Sequence, residues 1–241
     1  GDLDVDIGTT IVGNVGSSTV LDLATANVAD TMGLTVSGNF YVAATVLDGV
    51  ASSLTLNGTA AQTVSGTIDG ENALDGDVYV GDGTLASNVT FGSALGASTA
   101  INLFDVKAAA TANVSKDITF QTADADGTIG LLVNGTLNID ASANTVSLNA
   151  STDGNIDLNG TVGITGDEQV TFTAVDADGA ETIAIDGTFT TALTGTSKEV
   201  DLVGVDNATS IKIGQTANTT LNLGNQITTT GDALIGASGK T

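Results

Sequence analysis

Acidic side chains are the main candidates for chemistry in this sequence. The 241 residues include 28 Asp and Glu against five Lys, and there is no His or Cys. Carboxylates are hard oxygen ligands that suit calcium, and the carbonyls of nearby turns can complete its shell. The alternative is that Asp–Gly turns only reverse the direction of a solvated acidic chain. The candidate calcium ligands form three groups: Asp69, Glu71, Asp75 and Asp77 (with Asp82 nearby), Asp124 and Asp126, and Asp176 and Asp178.

The N-terminal run is the sharpest local pattern. Asp2, Asp4 and Asp6 alternate with Leu3, Val5 and Ile7. In a strand the three carboxylates would line one face, about 6.6 Å apart, and the three aliphatic side chains the other. The segment could be an ordinary first strand or an extended arm that completes the sheet of a neighbouring copy. It is therefore the candidate subunit junction, where a cation would hold the row of acids.

Two further motifs have simpler explanations. Asn155, Asp157 and Asn159 match the first half of an EF-hand loop, but Gly166 stands at the twelfth position, where a Glu is required. We favour a strand there. Eight Asn-x-Ser/Thr sequons are glycan acceptors if the source organism glycosylates exported proteins, and otherwise turn and ladder residues, which we favour. They begin at Asn57, Asn88, Asn113, Asn134, Asn149, Asn159, Asn207 and Asn218.

Composition argues against several classes of function. A net charge of −23 with no Arg argues against binding nucleic acid or an anionic membrane. The longest apolar runs are too short to span a bilayer. No nucleophile elbow or phosphate-binding glycine motif is present. Pairs of carboxylates at glycosidase spacing are unavoidable among 28 acids, and a sugar cleft usually adds aromatic and cationic groups. We do not expect an enzyme.

Period-two alternation runs the length of the chain and predicts an all-β protein. Leu54-Thr-Leu56 and Val146-Ser-Leu148 are typical, and Asn–Gly or Asp–Gly turns separate such runs. Only 3% of residues are aromatic, so we expect an aliphatic core. Residues 19–32 and 106–114 contain Ala and are interpreted as loops or a short helix.

Short strands, frequent turns and few aromatics favour a β-solenoid rod, with about 22 residues per coil. The alternative is a β-sandwich or barrel, with an extended N-terminal strand in the sandwich case. The opening residues fit a repeat worst. We therefore expect residues 1–33 to be an N-terminal strand, cap or inter-subunit arm, and residues 34–241 to be a single β-rich, repeat-like domain.

The middle of the chain resembles a family of large bacterial surface proteins. The resemblance lies in Leu54–Gly70, followed by Asp77–Val80, Asn88–Gly92 and Ala97–Leu103, and covers about residues 34–160. It is to rickettsial-type outer-membrane adhesins, autotransporter passengers and surface-layer proteins. The resemblance implies secretion, an extracellular β-rich rod, and a role in adhesion or coat formation. The translocator barrel of an autotransporter is missing, which leaves an excised passenger or a free-standing subunit.

Three functions follow as expectations. The first is a self-associating structural subunit of a surface layer or filament, joined through strand edges and bridged by cations. The second is an adhesin rod that binds a host surface or glycan. The third is ice binding through a flat Thr array, suggested by Thr188–Thr196, although the sequence shows no regular Thr-x-Thr stack. Because the only methionine is Met32, we expect a secreted, cell-surface chain with its signal removed. The expected partners are copies of the chain and surface glycans.

Overall fold

The chain forms a β-solenoid of parallel strands, as the short alternating runs predict. The computed structural model describes residues 1–18, 23–123, 128–175, 182–194 and 199–204, together with the strands at 210–213, 220–223, 226–230 and 232–235. Every strand pairing between its named strands is parallel. This stacking of coils excludes the sandwich and barrel alternatives, whose neighbouring strands are largely antiparallel. No helix able to cross a membrane is found within the described ranges.

Within these described residues the structure has 25 strands, numbered here in chain order. They are β1 (Asp2–Val5), β2 (Thr9–Ile11), β3 (Leu23–Val28), β4 (Gly33–Val36), β5 (Phe40–Leu47), β6 (Ser53–Leu56), β7 (Ala61–Gly70), β8 (Asp77–Val80), β9 (Asn88–Phe91), β10 (Leu103–Val106), β11 (Thr111–Val114), β12 (Ile118–Phe120), β13 (Ile129–Val133), β14 (Thr136–Ala141), β15 (Val146–Ala150), β16 (Asn155–Leu158), β17 (Thr161–Gly166), β18 (Val170–Ala174), β19 (Thr182–Ile185), β20 (Thr188–Leu193), β21 (Glu199–Gly204), β22 (Ser210–Ile213), β23 (Thr220–Leu223), β24 (Gln226–Thr230) and β25 (Asp232–Ile235).

The strands form three sheets along the rod. Sheet A has the order β1-β3-β5-β7-β9-β11-β14-β17-β20-β23, sheet B the order β2-β4-β6-β8-β10-β13-β16-β19-β22-β25, and sheet C the order β12-β15-β18-β21-β24. From β10 onward each coil passes through sheet B, then A, then C. Paired residues lie between 19 positions apart (Leu23 and Val42) and 32 apart (Thr188 and Thr220). The coil length therefore varies, and most coils are longer than the predicted length of about 22 residues.

Residue stacks fill the interior because alternate side chains of each strand point inward. In sheet B one such stack runs through Leu34, Leu54, Val78, Phe104, Leu131, Ile156 and Ile183, each fully buried. Most of the core is aliphatic, as composition predicts. However, all six Phe residues are also buried in it, at positions 40, 91, 104, 120, 172 and 189. The few aromatic residues of this chain are therefore concentrated in the core.

Gln62 is a buried polar residue that ties three backbone segments together. Its Oε1 accepts a hydrogen bond from the Gly58 N–H at 2.7 Å. Its Nε2 donates to the carbonyls of Val36 at 3.1 Å and Gly38 at 2.6 Å. One amide thus satisfies three main-chain groups, two of which belong to the preceding coil, which is how a buried polar side chain is tolerated.

Gly66 lies in the middle of the ten-residue strand β7. The residues before it, Ala61–Val64, pair with β9, and the residues on both sides of it pair with β5. Its φ is +87°, and a Cβ at this position would stand 1.9 Å from the carbonyl oxygen of Val42. Only glycine fits such a position.

One expectation about local structure is revised. Residues predicted as loops or a short helix form strands instead, namely β3 and β11, because their alternate apolar residues enter the interior stacks. The first strands also belong to the same sheets as the rest: β1 pairs with β3, and β2 pairs with β4. The stacking of coils therefore includes β1 and β2, and the division of the chain at residue 33 stays a prediction.

Candidate functional site

The first predicted calcium group is dispersed over separate local hydrogen bonds. Asp69 Oδ1 accepts from the Ser98 N–H at 2.8 Å. Asp75 Oδ2 accepts from the backbone and side-chain nitrogens of Asn72. The two carboxylate oxygens of Asp77 accept from the Tyr79 hydroxyl and the Asn102 amide, both at 2.7 Å. Each carboxylate thus has its own set of donors, and those of Asp69 and Asp77 include residues of the next coil.

Glu71 and Asp82 lie at exposed turns, and their pKa values are shifted in opposite directions. A hydrogen bond and charge repulsion from Asp48 raise the pKa of Glu71. Backbone and hydroxyl donors of Thr84 and Leu85 surround one oxygen of Asp82 and lower its pKa. Within the described part of the chain, no three acidic side chains form a group that could hold a metal ion. Asp124, Asp126, Asp176 and Asp178 lie outside the described residues, and calcium remains a prediction.

The N-terminal run forms strand β1 only as far as Val5. Asp2 and Asp4 are exposed, Leu3 packs against the core and Val5 is buried, as the alternation predicts. The side-chain amide of Asn27 on β3 donates a hydrogen bond of 2.8 Å to the carboxylate of Asp4 on β1. Asp6 and Ile7 lie beyond the strand, and Ile7 is 72% exposed instead of facing the interior. β1 is the terminal strand in the order of sheet A, and β2 that of sheet B.

The segment that resembles an EF-hand loop is a strand, as preferred. Asn155 and Asp157 belong to β16, whose Ile156 and Leu158 are buried in the core. Four sequon asparagines, Asn88, Asn113, Asn134 and Asn159, make side-chain hydrogen bonds with asparagines of adjacent coils. These are the ladder contacts that the sequence favours over a role as glycan acceptors.

One outward surface of sheet B carries an ion pair, and we call its four residues, Asp77, Tyr79, Asp105 and Lys107, the charged face. Lys107 Nζ pairs with Asp105, whose side chain is only 2% exposed, and lies 4.6 Å from the centre of the Tyr79 ring. Burial and the hydrogen bond to Asp77 raise the pKa of the Tyr79 hydroxyl well above its ordinary value. The phenol therefore stays neutral and acts as a hydrogen-bond donor to Asp77.

An outward surface of sheet A carries no charge, and we call it the neutral face. It consists of two rows of residues in register across β9, β11, β14, β17 and β20. Their neighbours Val89, Ala112, Leu137, Val162 and Phe189 are fully buried, so the rows point outward. The first row is Asn88, Thr111, Thr136, Thr161 and Thr188, and the second is Thr90, Asn113, Asn138, Gly163 and Thr190.

Hydrogen bonds between coils fix the amides of the neutral face. Asn113 Nδ2 donates to Asn88 Oδ1 at 2.7 Å, and Asn138 Nδ2 donates to Asn113 Oδ1 at 2.9 Å. Each amide holds the next in place along the rod. These side chains are therefore ordered before any ligand arrives.

A shallow groove of about 240 Å³ runs along one margin of the neutral face. Thr90, Asn113 and Asn138 border it on one side, and Asp140 and Thr165 on the other. Asp140 is a carboxylate at this margin, and its Oδ1 accepts hydrogen bonds from the backbone and hydroxyl of Ser142. The groove is lined by hydroxyl and amide groups over the buried side chains of Phe91 and Ile139.

The chain matches no protein-family model, no curated protein and no solved structure. The likeness to bacterial surface proteins therefore remains a resemblance in sequence.

Reasoning from sequence missed the neutral face, although a signal for it was present. Thr111, Thr136, Thr161 and Thr188 are separated by 25, 25 and 27 residues, which is one coil each time. Each is followed two positions later by Asn, Gly or Thr. An alignment of the chain on itself at that spacing would have shown the rows. The short alternating runs alone do not show which outward positions share a sheet.

Proposed function

We propose that this protein is a structural rod of an extracellular assembly, such as a surface layer or filament, and that copies associate end to end through strand edges. The observation that carries the proposal is the first coil. Its strands β1 and β2 are the terminal strands of the two ten-stranded sheets. The backbone groups along the outer edge of a terminal strand are oriented to pair with another parallel strand. A second copy whose last coil contains β23, β24 and β25 would continue the sheets.

Exposed apolar side chains on the first coil also favour this end of the rod as the junction between copies. Ile7 is 72% exposed and Val12 is 87% exposed, and both lie in turns of the first coil. A second copy that docks on the first coil would bury exposed aliphatic side chains at this end of the rod. Asp2 and Asp4 are exposed on the same coil. We propose that cations bridge these acids across the junction, since a net charge of −23 opposes the approach of a second copy.

The test is sedimentation and negative-stain microscopy of the chain with calcium and then with excess chelator. We expect end-to-end rods whose length grows with protein concentration and shrinks on chelation. The variant Ile7→Lys/Val12→Lys should shorten them, because charged side chains would replace the aliphatic ones that we propose the junction buries. The matched control is Val50→Lys, which replaces another exposed aliphatic residue, 61% exposed, away from the first coil. Single short rods at every concentration, with and without calcium, would contradict the proposal.

The adhesin alternative stays a prediction, and the same microscopy addresses it. Rods that remain single and attach along their length to cells or vesicles bearing glycans would favour it over end-to-end assembly.

A further inference from the structure

We propose that the neutral face binds ice, by holding water molecules in an ordered layer that matches the lattice of the crystal. This goes beyond end-to-end assembly, because it concerns the side of the rod and not its ends. The face was expected from sequence only as an irregular Thr-rich strand. In the structure it is a two-row array that extends over five successive coils.

The spacing of the array comes from the backbone. Neighbouring strands of a sheet lie about 4.8 Å apart, and outward residues two positions apart along one strand lie about 6.6 Å apart. The hydroxyl and amide groups therefore repeat in two nearly perpendicular directions at nine of the ten positions, and only Gly163 leaves a gap in the second row. The oxygen atoms on the faces of hexagonal ice repeat at similar spacings. Waters bound to the rows can thus occupy positions close to those of the lattice.

The side chains of the array are held rigidly. The Asn113 amide is bonded on both sides, to Asn88 and to Asn138. Threonine is restricted at χ1 by its branched Cβ, and each threonine of the first row stands on a fully buried neighbour in sequence. A rigid array pays little entropy when it orders water, since its groups are already in place.

The neutral face differs from the rest of the chain in that it has no charged side chains. Its ten positions carry no Asp, Glu or Lys, although the whole sequence has 28 acidic residues. Charged groups bind water in tight shells whose geometry differs from that of ice, and a crystal of ice excludes ions. An uncharged ligand made only of hydrogen-bond donors and acceptors is the complement of this surface. Asp140 lies outside the two rows, at the margin of the face.

A neutral polysaccharide would also offer hydroxyl groups, and the structure favours ice over it. Sugar rings bind by stacking on aromatic side chains as well as by hydrogen bonds. None of the ten positions is aromatic, whereas Tyr79 lies on the charged face of sheet B. The array also extends in two dimensions over five strands, which suits a crystal surface better than a single chain.

The test is ice growth in the presence of the purified chain. We expect thermal hysteresis, and enrichment of the labelled protein in a slowly growing ice hemisphere. Thr161→Tyr places a bulky ring in the middle of the first row and should abolish both. The matched control is Thr171→Tyr on β18 of sheet C, another outward position of a strand, which should retain both. Circular dichroism checks that each variant keeps the fold, and tyrosine is well tolerated in strands.

Three results would overturn the proposal. The first is a wild-type chain with no hysteresis and no enrichment in ice. The second is equal loss of activity in Thr161→Tyr and Thr171→Tyr, since the neutral face would then not be responsible. The third is a chain inactive on ice that is retained on insoluble cellulose or chitin and released by Thr161→Tyr. That result would assign the face to a neutral polysaccharide. None of them depends on whether the rods assemble end to end.

Discussion

The neutral face and the charged face share the two coils that contain β8 to β11, yet their outward chemistry is opposite. On the charged face, Lys107 pairs with the buried Asp105 and covers the ring of Tyr79. On the neutral face, threonines and asparagines repeat in register from strand to strand. The inward residues of both are the same kinds of apolar side chain. The interior therefore sets the fold, and the outward positions are where the sides of the rod differ in what they can bind.

The largest expected effect comes from the interior stack that both faces share. Phe104→Ala removes a fully buried ring beneath the charged face and should lower the free energy of unfolding by about 3–5 kcal/mol. Denaturant unfolding followed by circular dichroism measures it. Thr136→Ala on the neutral face is the control and should change stability by no more than about 0.5 kcal/mol. Equal losses in the two variants would mean that the outward rows carry part of the fold.

Gln62 on β7 is in register with Val89 on β9. It therefore precedes the buried residues of sheet A that lie beneath the neutral face. Gln62→Leu leaves the Gly58 N–H and the Val36 and Gly38 carbonyls without this partner. We expect a loss of about 2–3 kcal/mol in the free energy of unfolding. Gln62→Glu keeps the acceptor for Gly58 but lacks the donor, and should also destabilise. A Leu variant as stable as the wild type would show that these backbone groups find water instead.

Removing one partner of the ion pair on the charged face should destabilise the fold more than replacing both partners with apolar side chains. Lys107→Met keeps the aliphatic stem but leaves the Asp105 carboxylate buried, and its Oδ1 already has no hydrogen-bond partner among the described residues. Because Lys107 itself is partly exposed, we expect a loss of about 1–3 kcal/mol in the free energy of unfolding. The double variant Asp105→Leu/Lys107→Met should recover most of it. A double variant less stable than the single one would contradict this account of the face.

The smallest effect concerns the exposed corner at Glu71, away from both faces. Asp48 raises the pKa of Glu71 in the folded chain, so the folded state holds this proton more tightly than the unfolded state. Stability should fall as the pH rises from the ordinary range of Glu through the raised pKa. Glu71→Gln should remove this dependence and slightly raise the melting temperature at neutral pH. Melting curves between pH 3 and pH 8 measure it.

Asp82 provides the opposite case for the same measurement. Its pKa is lowered by the donors of Thr84 and Leu85, so its contribution is present at neutral pH and is lost as the pH falls through the lowered pKa. Asp82→Asn should therefore reduce stability at neutral pH and leave it nearly unchanged in acid. If the two variants showed the same pH dependence, the assigned hydrogen bonds would be wrong.

Alternation predicted most of the strands, because it follows directly from which side chains must be buried. Leu54 and Leu56, for example, are both fully buried in β6. Alternation missed β3 and β11. The solenoid was favoured by the shortness of the strands, the frequent turns and the few aromatic residues. The coil length could not be fixed in the same way, since corner turns differ in length from coil to coil. Ile7 was predicted to face inward, but β1 ends at Val5, and alternation beyond a strand end carries no information.

The candidate sites were harder to predict than the fold, because proximity along the chain is a poor guide to what a side chain contacts. Asp75 and Asp77 are two residues apart, yet one stabilises the turn at Asn72 and the other binds Tyr79 and Asn102. The opposite holds for Thr111 and Thr136, which are far apart in sequence and adjacent in the sheet. The acidic clusters could be recognised from the sequence alone, whereas the neutral face could be recognised only once the register of the strands was known.

The most direct test of the contrast between the two faces is a crystal structure at a resolution that shows ordered water. We expect waters on the neutral face to repeat from coil to coil at the strand spacing of about 4.8 Å, bound between the two rows. On the charged face the waters should follow the individual groups of Asp77 and Lys107 without that repeat. Waters on the neutral face that are no more regular than those on the charged face would contradict the account.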